Sequence, residues 1–223
     1  AGNVAGVGPV TGSSGDGSPG HVPCAGVSHE DAARLAALAG QPVTLHIGGT
    51  FTDATATNLL ATIAGTSGDL VVLSAHIDGH DLAESAIDNA SGLACALAAA
   101  EALRDVVPRL PRGIEIGLFT IEEWALAGSE AHLAAMPQAE RARRVLNVNL
   151  DSVAGDDALT ALTSGVPGMD AFLRDALAPA GLEIGTHAGF MGNSDHANYL
   201  RAGIPAFLLC AGFDRPASPL ALL

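Results

Sequence analysis

The chain has 223 residues, of which 48% are hydrophobic and 15% charged, with 27 Gly and 12 Pro, the composition of a globular chain with a sizeable core. Ten basic residues against 24 acidic ones leave a formal net charge of -14, which repels a phosphate backbone and argues against nucleic acid as a partner. All the basic residues are Arg, which excludes chemistry that needs a Lys, such as Schiff bases, Walker-type phosphate grips and cofactor aldimines. The three Cys (Cys24, Cys95, Cys210) are widely separated with no CxxC pair, and Cys95 and Cys210 lie in apolar runs that read as buried positions. The longest stretch free of Asp, Glu, Lys and Arg, Leu35 to Thr52, is broken by Gly40, Pro42, His46, Gly48 and Gly49, so nothing reads as membrane-spanning. The chain opens on Ala1 without a recognisable signal peptide, consistent with a removed leader or a missing front.

In chain order, a Gly/Ser/Pro-rich opening gives way to SHEDAARLAALAG, where Ser28 and Asp31 stand at capping-box spacing and Gly40 closes a short helix. PVTLHI (42–47) and TATNLLATIAG (55–65) alternate in strand fashion, and LVVLSAH (70–76) is a β-branched run of buried-strand type. Beyond it the pattern predicts a helix over SGLACALAAAEALRDVV, a strand over GIEIGLFT, a helix through EEWALAGSEAHLAAM and strands over RVLNVNL and ALTALTS. Helices over MDAFLRDALAPAG and HANYLRAG and a last strand over PAFLLCA complete the chain. Strands alternating with helices predict an α/β fold, a three-layer sandwich on a mixed, mostly parallel sheet.

Ligands of open α/β sheets sit outside the carboxyl ends of the strands. Polar residues follow each buried run there: His76 and Asp78 after the first, Glu122 and Glu123 after GIEIGLFT, Asp151 after RVLNVNL, with Asp88 opening the long helix. Taken singly, each has a bland reading as a surface histidine or a solvated helix start. Taken together, an imidazole and several carboxylates without thiolates make a nitrogen and oxygen donor set suited to catalytic zinc, or to manganese or cobalt. The same crowding without Lys or Arg nearby calls for a divalent cation as compensation. Adjacent Glu122 and Glu123 can point apart, one toward a metal and one free to take a proton.

The ordered motifs HID, DNASG, EE and NLD, joined by TNLLATIAG, LAGSE and SDHANYLRAGIPA, resemble the zinc aminopeptidase family of co-catalytic metallopeptidases, peptidase family M28, whose relatives include glutamate carboxypeptidase, the transferrin receptor and glutaminyl cyclase. The resemblance runs from about Asn58 onward. It implies a zinc exopeptidase fold and an aminopeptidase that hydrolyses N-terminal peptide bonds through a water shared by two zinc ions. It further implies that Asp88 bridges the ions, with His76 and Asp151 completing one site and Glu123 the other. Glu122 is then the general base, and Asp78 fixes the tautomer and orientation of the His76 imidazole. A cis peptide between Asp88 and Asn89 and an extracellular or periplasmic location are further expectations of the family.

The chain departs from the family pattern in four places. The family's last His ligand lies beyond the SDH motif and has no counterpart before Leu223, so Asp195 or His196 is the nearest substitute, although a capped helix start is the favoured reading of SDH. Residues 1–52 resemble part of a protease-associated domain with its linker, leaving 53–223 as a catalytic domain truncated at both ends. His80 and Asp81 are extra polar residues read as a solvated loop, and Trp124, after the EE pair, is read as packing beneath the active-site loop. A single-zinc glutaminyl cyclase and a non-catalytic binding module that kept the fold are the alternatives. Oligomeric state is not legible.

Overall fold

The run Leu70–His76 forms strand β2 at the middle of the sheet, paired in parallel with β3 (Gly113–Phe119) on one side and β4 (Arg144–Leu150) on the other. The computed structural model describes residues 25–46, 52–80 and 83–213. Outside the parallel core, β1 (Leu59–Ile63) adds antiparallel to β3, and β7 (Ala206–Ala211) adds parallel to β4. β5 (Leu159–Leu162) runs antiparallel to β7 and carries β6 (Gly185–His187) at its outer edge. The strand order is therefore β1-β3-β2-β4-β7-β5-β6, a mixed sheet with a parallel centre as the alternating pattern predicts.

Side chains alternate across this sheet and sort the helices into two outer layers. Helix α2 (Gly92–Leu103) packs Ala96 against Ala75, Ile116, Leu118 and Leu150, and α5 (Met169–Leu177) packs Met169 and Leu173 against Ala161 and Phe207. On the opposite face α3 (Ala127–Ala135) and α6 (His196–Arg201) bring Leu133 and Tyr199 onto Val72, Phe119 and Ala206. Val72, Phe119 and Tyr199 are fully buried, each contributing about 1.5–3 kcal/mol by removing apolar surface from water. α1 (His29–Ala36) begins as the capping signal predicts, with the Ser28 side chain accepting from the Asp31 amide. A short α4 (Gln138–Arg141) precedes β4.

The structure departs from the sequence expectations at several points. Residues 42–46 form no strand, and Val43 and Leu45 are exposed, because the alternation there meets no partner strand among the described residues. The helix expected from Glu122 begins only at Ala127, since Ile121, Ala125 and Leu126 take positive φ. Cys95 is exposed rather than buried: α2 is alanine-rich on every side, so its sequence does not disclose which face meets the sheet. The segment read as protease-associated lies largely outside the described residues. Among those described, no helix is long and apolar enough to cross a membrane.

One buried ion pair ties the layers together. The Glu115 carboxylate on β3 meets the Arg144 guanidinium at the start of β4 and His132 of α3, and both Glu115 and Arg144 are nine-tenths buried. Burial alone would raise the Glu115 carboxyl, but the facing His132 ring and the Arg144 guanidinium, which donates hydrogen bonds to it, outweigh it and hold it below the ordinary carboxylate range. A depressed folded pKa gives stability that is present above the unfolded value of about 4.3 and is lost as pH falls through the folded value. Arg144→Ala should therefore cost about 3–5 kcal/mol at neutral pH by stranding Glu115, with the deficit shrinking under acid. Urea titrations at neutral and acidic pH measure it, and a deficit under about 1 kcal/mol at neutral pH would contradict the pair's role.

Candidate metal centre

The parallel registers decide where the polar residues emerge. His76 is level with Phe119 across β2 and β3, and Ser74 is level with Asn149 across β2 and β4. The residues just beyond these strands, Asp78, Glu122, Glu123 and Asp151, thus surround one notch at the carboxyl edge. Asp88 reaches it from the irregular turn Ala86–Ser91, not from a helix, because Asp88 and Asn89 have non-helical dihedrals joined by a cis peptide, as the resemblance implies. The Asn89 side chain fixes this turn: its amide donates to the Leu150 carbonyl, and its oxygen accepts from the Gly92 and Ser152 amides. A Cβ at Gly92 would collide with the Asn89 side chain and the Leu150 carbonyl, so the approach requires glycine there.

His76 stands at the centre with 1% of its side chain exposed, its Nε2 2.9 Å from Asp88 Oδ1, 3.5 Å from Asp151 Oδ1 and 4.0 Å from Glu122 Oε2. None of these carboxylates meets it in hydrogen-bonding alignment, so Nε2 is a buried nitrogen without a partner, and Glu123 Oε1 is likewise unpartnered. Two groups of donor atoms lie within 4.8 Å of one another: His76 with Glu122 and Asp151, and His76 with Asp88 and Glu123. Among the described residues no arginine pairs with any of these carboxylates. Orphaned buried donors, a nitrogen and oxygen set and unbalanced negative charge together fit divalent cations.

On its other side, His76 Nδ1 faces the Asp78 carbonyl at 3.1 Å and the Asp78 carboxylate at 3.4 Å. The two Asp78 oxygens in turn accept the backbone N–H groups of Glu122 and Glu123 at 3.2 and 3.3 Å. One carboxylate thereby couples the β2 turn to the β3 turn. Burial pushes the Glu122 carboxyl up to about 9, with Asp151, Asp195 and Glu123 adding to the rise and His76 opposing it. For His76, burial disfavours the cation, but the Asp151, Asp78 and Asp88 carboxylates facing the ring favour it and raise its pKa.

Asp151 is held by a chain of buried side chains that sequence reasoning did not single out. The Asn147 amide donates to Ser74 Oγ, which donates to Asn149 Oδ1; the Asn149 amide donates to Ser194 Oγ, which donates to Asp151 Oδ2 at 2.6 Å. Every donor points toward the carboxylate. The available signal was the presence of Ser74, Asn147 and Asn149 inside buried strands, where polar side chains require partners.

Asp195 and His196 supply no atom to either group. Nor does the SDH motif cap α6: Asp195 makes no capping hydrogen bond, and Ser194 serves Asp151 instead. Asp195 is fully buried with both oxygens unpartnered, and burial pushes its carboxyl up to about 7; burial also lowers His196 to about 4. Trp124 is 68% exposed, not packed beneath the loop, since the turn at Ala125 and Leu126 carries it outward. Next to the acids lies a cleft of about 260 Å³ whose other wall is apolar, formed by Leu162, Met191, Leu208 and Phe213.

The profile of peptidase family M28 matches residues 58–218. Leucine aminopeptidase 2 of Trichophyton equinum is 27% identical over 218 residues, covering 89% of this chain and 43% of the relative. Among solved structures, a zinc aminopeptidase from Bacillus subtilis superposes with a TM-score of 0.71 at 24% identity, over 87% of this chain and 49% of that one. An Acidobacteriales glutaminyl cyclase superposes with a TM-score of 0.62 at 17% identity, over 72% and 62% of the two chains. These last two likenesses concern the fold. The chain spans less than half the length of the leucine aminopeptidase it matches.

Replacing Ser194 with Ala removes the Asp151 donor and leaves the Asn149 amide unsatisfied. Zinc affinity, followed by competition with a chromophoric chelator, should fall about 10–100-fold. An unchanged affinity would show that the side-chain relay does not orient Asp151.

Proposed function

The chain belongs to peptidase family M28, and from that premise we propose that it is the catalytic part of a zinc-dependent aminopeptidase that removes residues from the amino end of peptides. The observation that carries this reading is the convergence of His76, Asp88, Glu122, Glu123 and Asp151 in two overlapping donor groups at a cleft that Leu162, Met191, Leu208 and Phe213 also line. Asp88 is assigned to both cations, His76 and Asp151 to one, and Glu123 to the other. When bound, two zinc ions supply Lewis acidity that acidifies a water and polarises the scissile carbonyl.

The chain's own residues do the rest. Glu122, whose carboxylate sits 4.0 Å from His76 Nε2, takes a proton from the attacking water and returns it to the departing amine. Asp78 holds the His76 ring from behind and keeps Nδ1 protonated, leaving the Nε2 lone pair free. The acidic rim favours the cationic α-amino group of a peptide, and the apolar wall at Leu162, Met191, Leu208 and Phe213 accepts an apolar first side chain. Residues 1–52 remain assigned to a protease-associated segment and linker, and the setting that goes with this function is extracellular or periplasmic. A single-zinc glutaminyl cyclase shares the fold, but the second donor group of Asp88 and Glu123 exceeds what one cation needs.

Hydrolysis of aminoacyl p-nitroanilides, compared with their N-acetylated forms, tests the reading. Apolar, unblocked substrates should turn over and blocked ones should not; equal hydrolysis of both would remove the amino-end assignment. Glu122→Gln should retain zinc while losing about 10²–10⁴-fold in kcat, and unchanged turnover would eliminate Glu122 as the base. Asp88→Ala should lose both ions by elemental analysis, whereas full retention would show that Asp88 does not bridge.

A further inference from the structure

The stretches TNLLATIAG, LAGSE and SDHANYLRAGIPA supply no atom to either donor group. Asn58 from the first, Ser129 from the second and Asn198 from the third nevertheless meet around the loop between β3 and α3 that carries Glu122 and Glu123. Asn58 stands immediately before β1, whose antiparallel register sets Leu59 opposite Leu118 and so brings Asn58 to the end of β3. There it closes the neck of the loop. Its amide donates to the Gly128 carbonyl at 2.8 Å, and its oxygen accepts the Thr120 N–H at 3.1 Å. The two ends are drawn so close that a Cβ at Gly128 would collide with the Thr120 carbonyl and the Asn58 side chain, which only glycine avoids.

Inside the neck, the Leu126 amide donates to the Glu122 carbonyl and the Ala127 amide to the Ile121 carbonyl. Asn198, 7% exposed on α6, donates to the Leu126 carbonyl and to Ser129 Oγ, both at 2.9 Å, and the Ser129 hydroxyl donates to the same Leu126 carbonyl. So many holds answer a strained backbone. Ile121, Ala125 and Leu126 take φ of 56°, 82° and 58°, a left-handed conformation that persists in residues other than glycine only where the surroundings over-determine it. These residues flank Glu122 and Glu123 on both sides, so the curl they impose sets where each carboxyl points. Asp78 holds the two Glu amides from the metal side, while Asn58 and Asn198 hold the ends of the curl.

We infer that Asn58 is a positioning residue for the general base: by closing the neck of the strained loop it keeps the Glu122 carboxyl where the attacking water must lie, with Asn198 securing the loop from α6. The inference rests on Glu122 being the base, as in the proposed function. Turnover of leucine p-nitroanilide by the zinc-saturated chain tests it through a double-mutant cycle. Asn58→Ala should keep its zinc and its KM and lose about 10²-fold in kcat, the cost of a group misplaced by about 1 Å. In a Glu122→Gln background the same change should cost nothing further, because the group it positions is gone. An unchanged kcat in the first case, or an equal loss in both backgrounds, would overturn the inference, since a merely structural role costs the same with or without the base. Undiminished turnover by Glu122→Gln alone would overturn the choice of base, and this inference with it. Hydrogen exchange of the unaltered chain gives a readout that does not depend on how the variants fold. The Thr120 amide, held by Asn58, should exchange as slowly as amides within β3, and exchange as fast as that of an unprotected amide would show an open neck and refute the inference.

Discussion

A buried imidazole hemmed in by carboxylates is the arrangement on which the rest of the structure turns. His76 Nε2 has Asp88, Asp151 and Glu122 within 4.0 Å, with Glu123 in reach of the same donors, and no arginine among the described residues balances them. Like charges at such separations destabilise one another, and burial compounds the cost. Proton uptake offsets part of it, which is the sense of the raised pKa values of Glu122 and His76. Divalent cations offset more, because they replace repulsion by coordination.

The fold supplies the rigidity that such crowding demands. Parallel pairing of β2 with β3 and β4 sets His76, the Glu122–Glu123 turn and Asp151 at one edge. Asp78 fastens the first turn to the second through two backbone amides, and Asn89 fastens the Asp88 turn to the end of β4. From below, the hydrogen bonds linking Asn147, Ser74, Asn149 and Ser194 run through the sheet to Asp151. Carboxylates that would otherwise separate are held by backbone and by buried amides, so the site is organised before any ligand arrives.

The strands that build the site were legible because their burial is written in composition. LVVLSAH and RVLNVNL coincide with β2 and β4, runs rich in Val and Leu of the kind that parallel strands covered on both faces require. The site residues were legible by their position after those runs, although their roles came from resemblance. What could not be read depended on tertiary context. Residues 42–46 alternate like a strand but have no neighbouring strand among the described residues, and three-residue β6 is too short to leave a pattern. The helix after Glu123 starts late because left-handed residues at Ala125 and Leu126 intervene, which also turns Trp124 outward. Ser194 resembled a helix cap, whereas its hydroxyl is directed to a carboxylate 43 residues earlier in the chain, a partner that local sequence does not reveal.

The central claim is that this carboxylate cluster is a binding site for two divalent cations. Native mass spectrometry of the unaltered chain, stripped of metal and re-equilibrated with a slight excess of zinc, counts the ions directly. The account requires a species carrying two zinc ions per chain, accompanied by a rise in melting temperature, since a ligand that binds only the folded state stabilises it by mass action. A chain that stays metal-free, with an unaltered melting temperature, would contradict it.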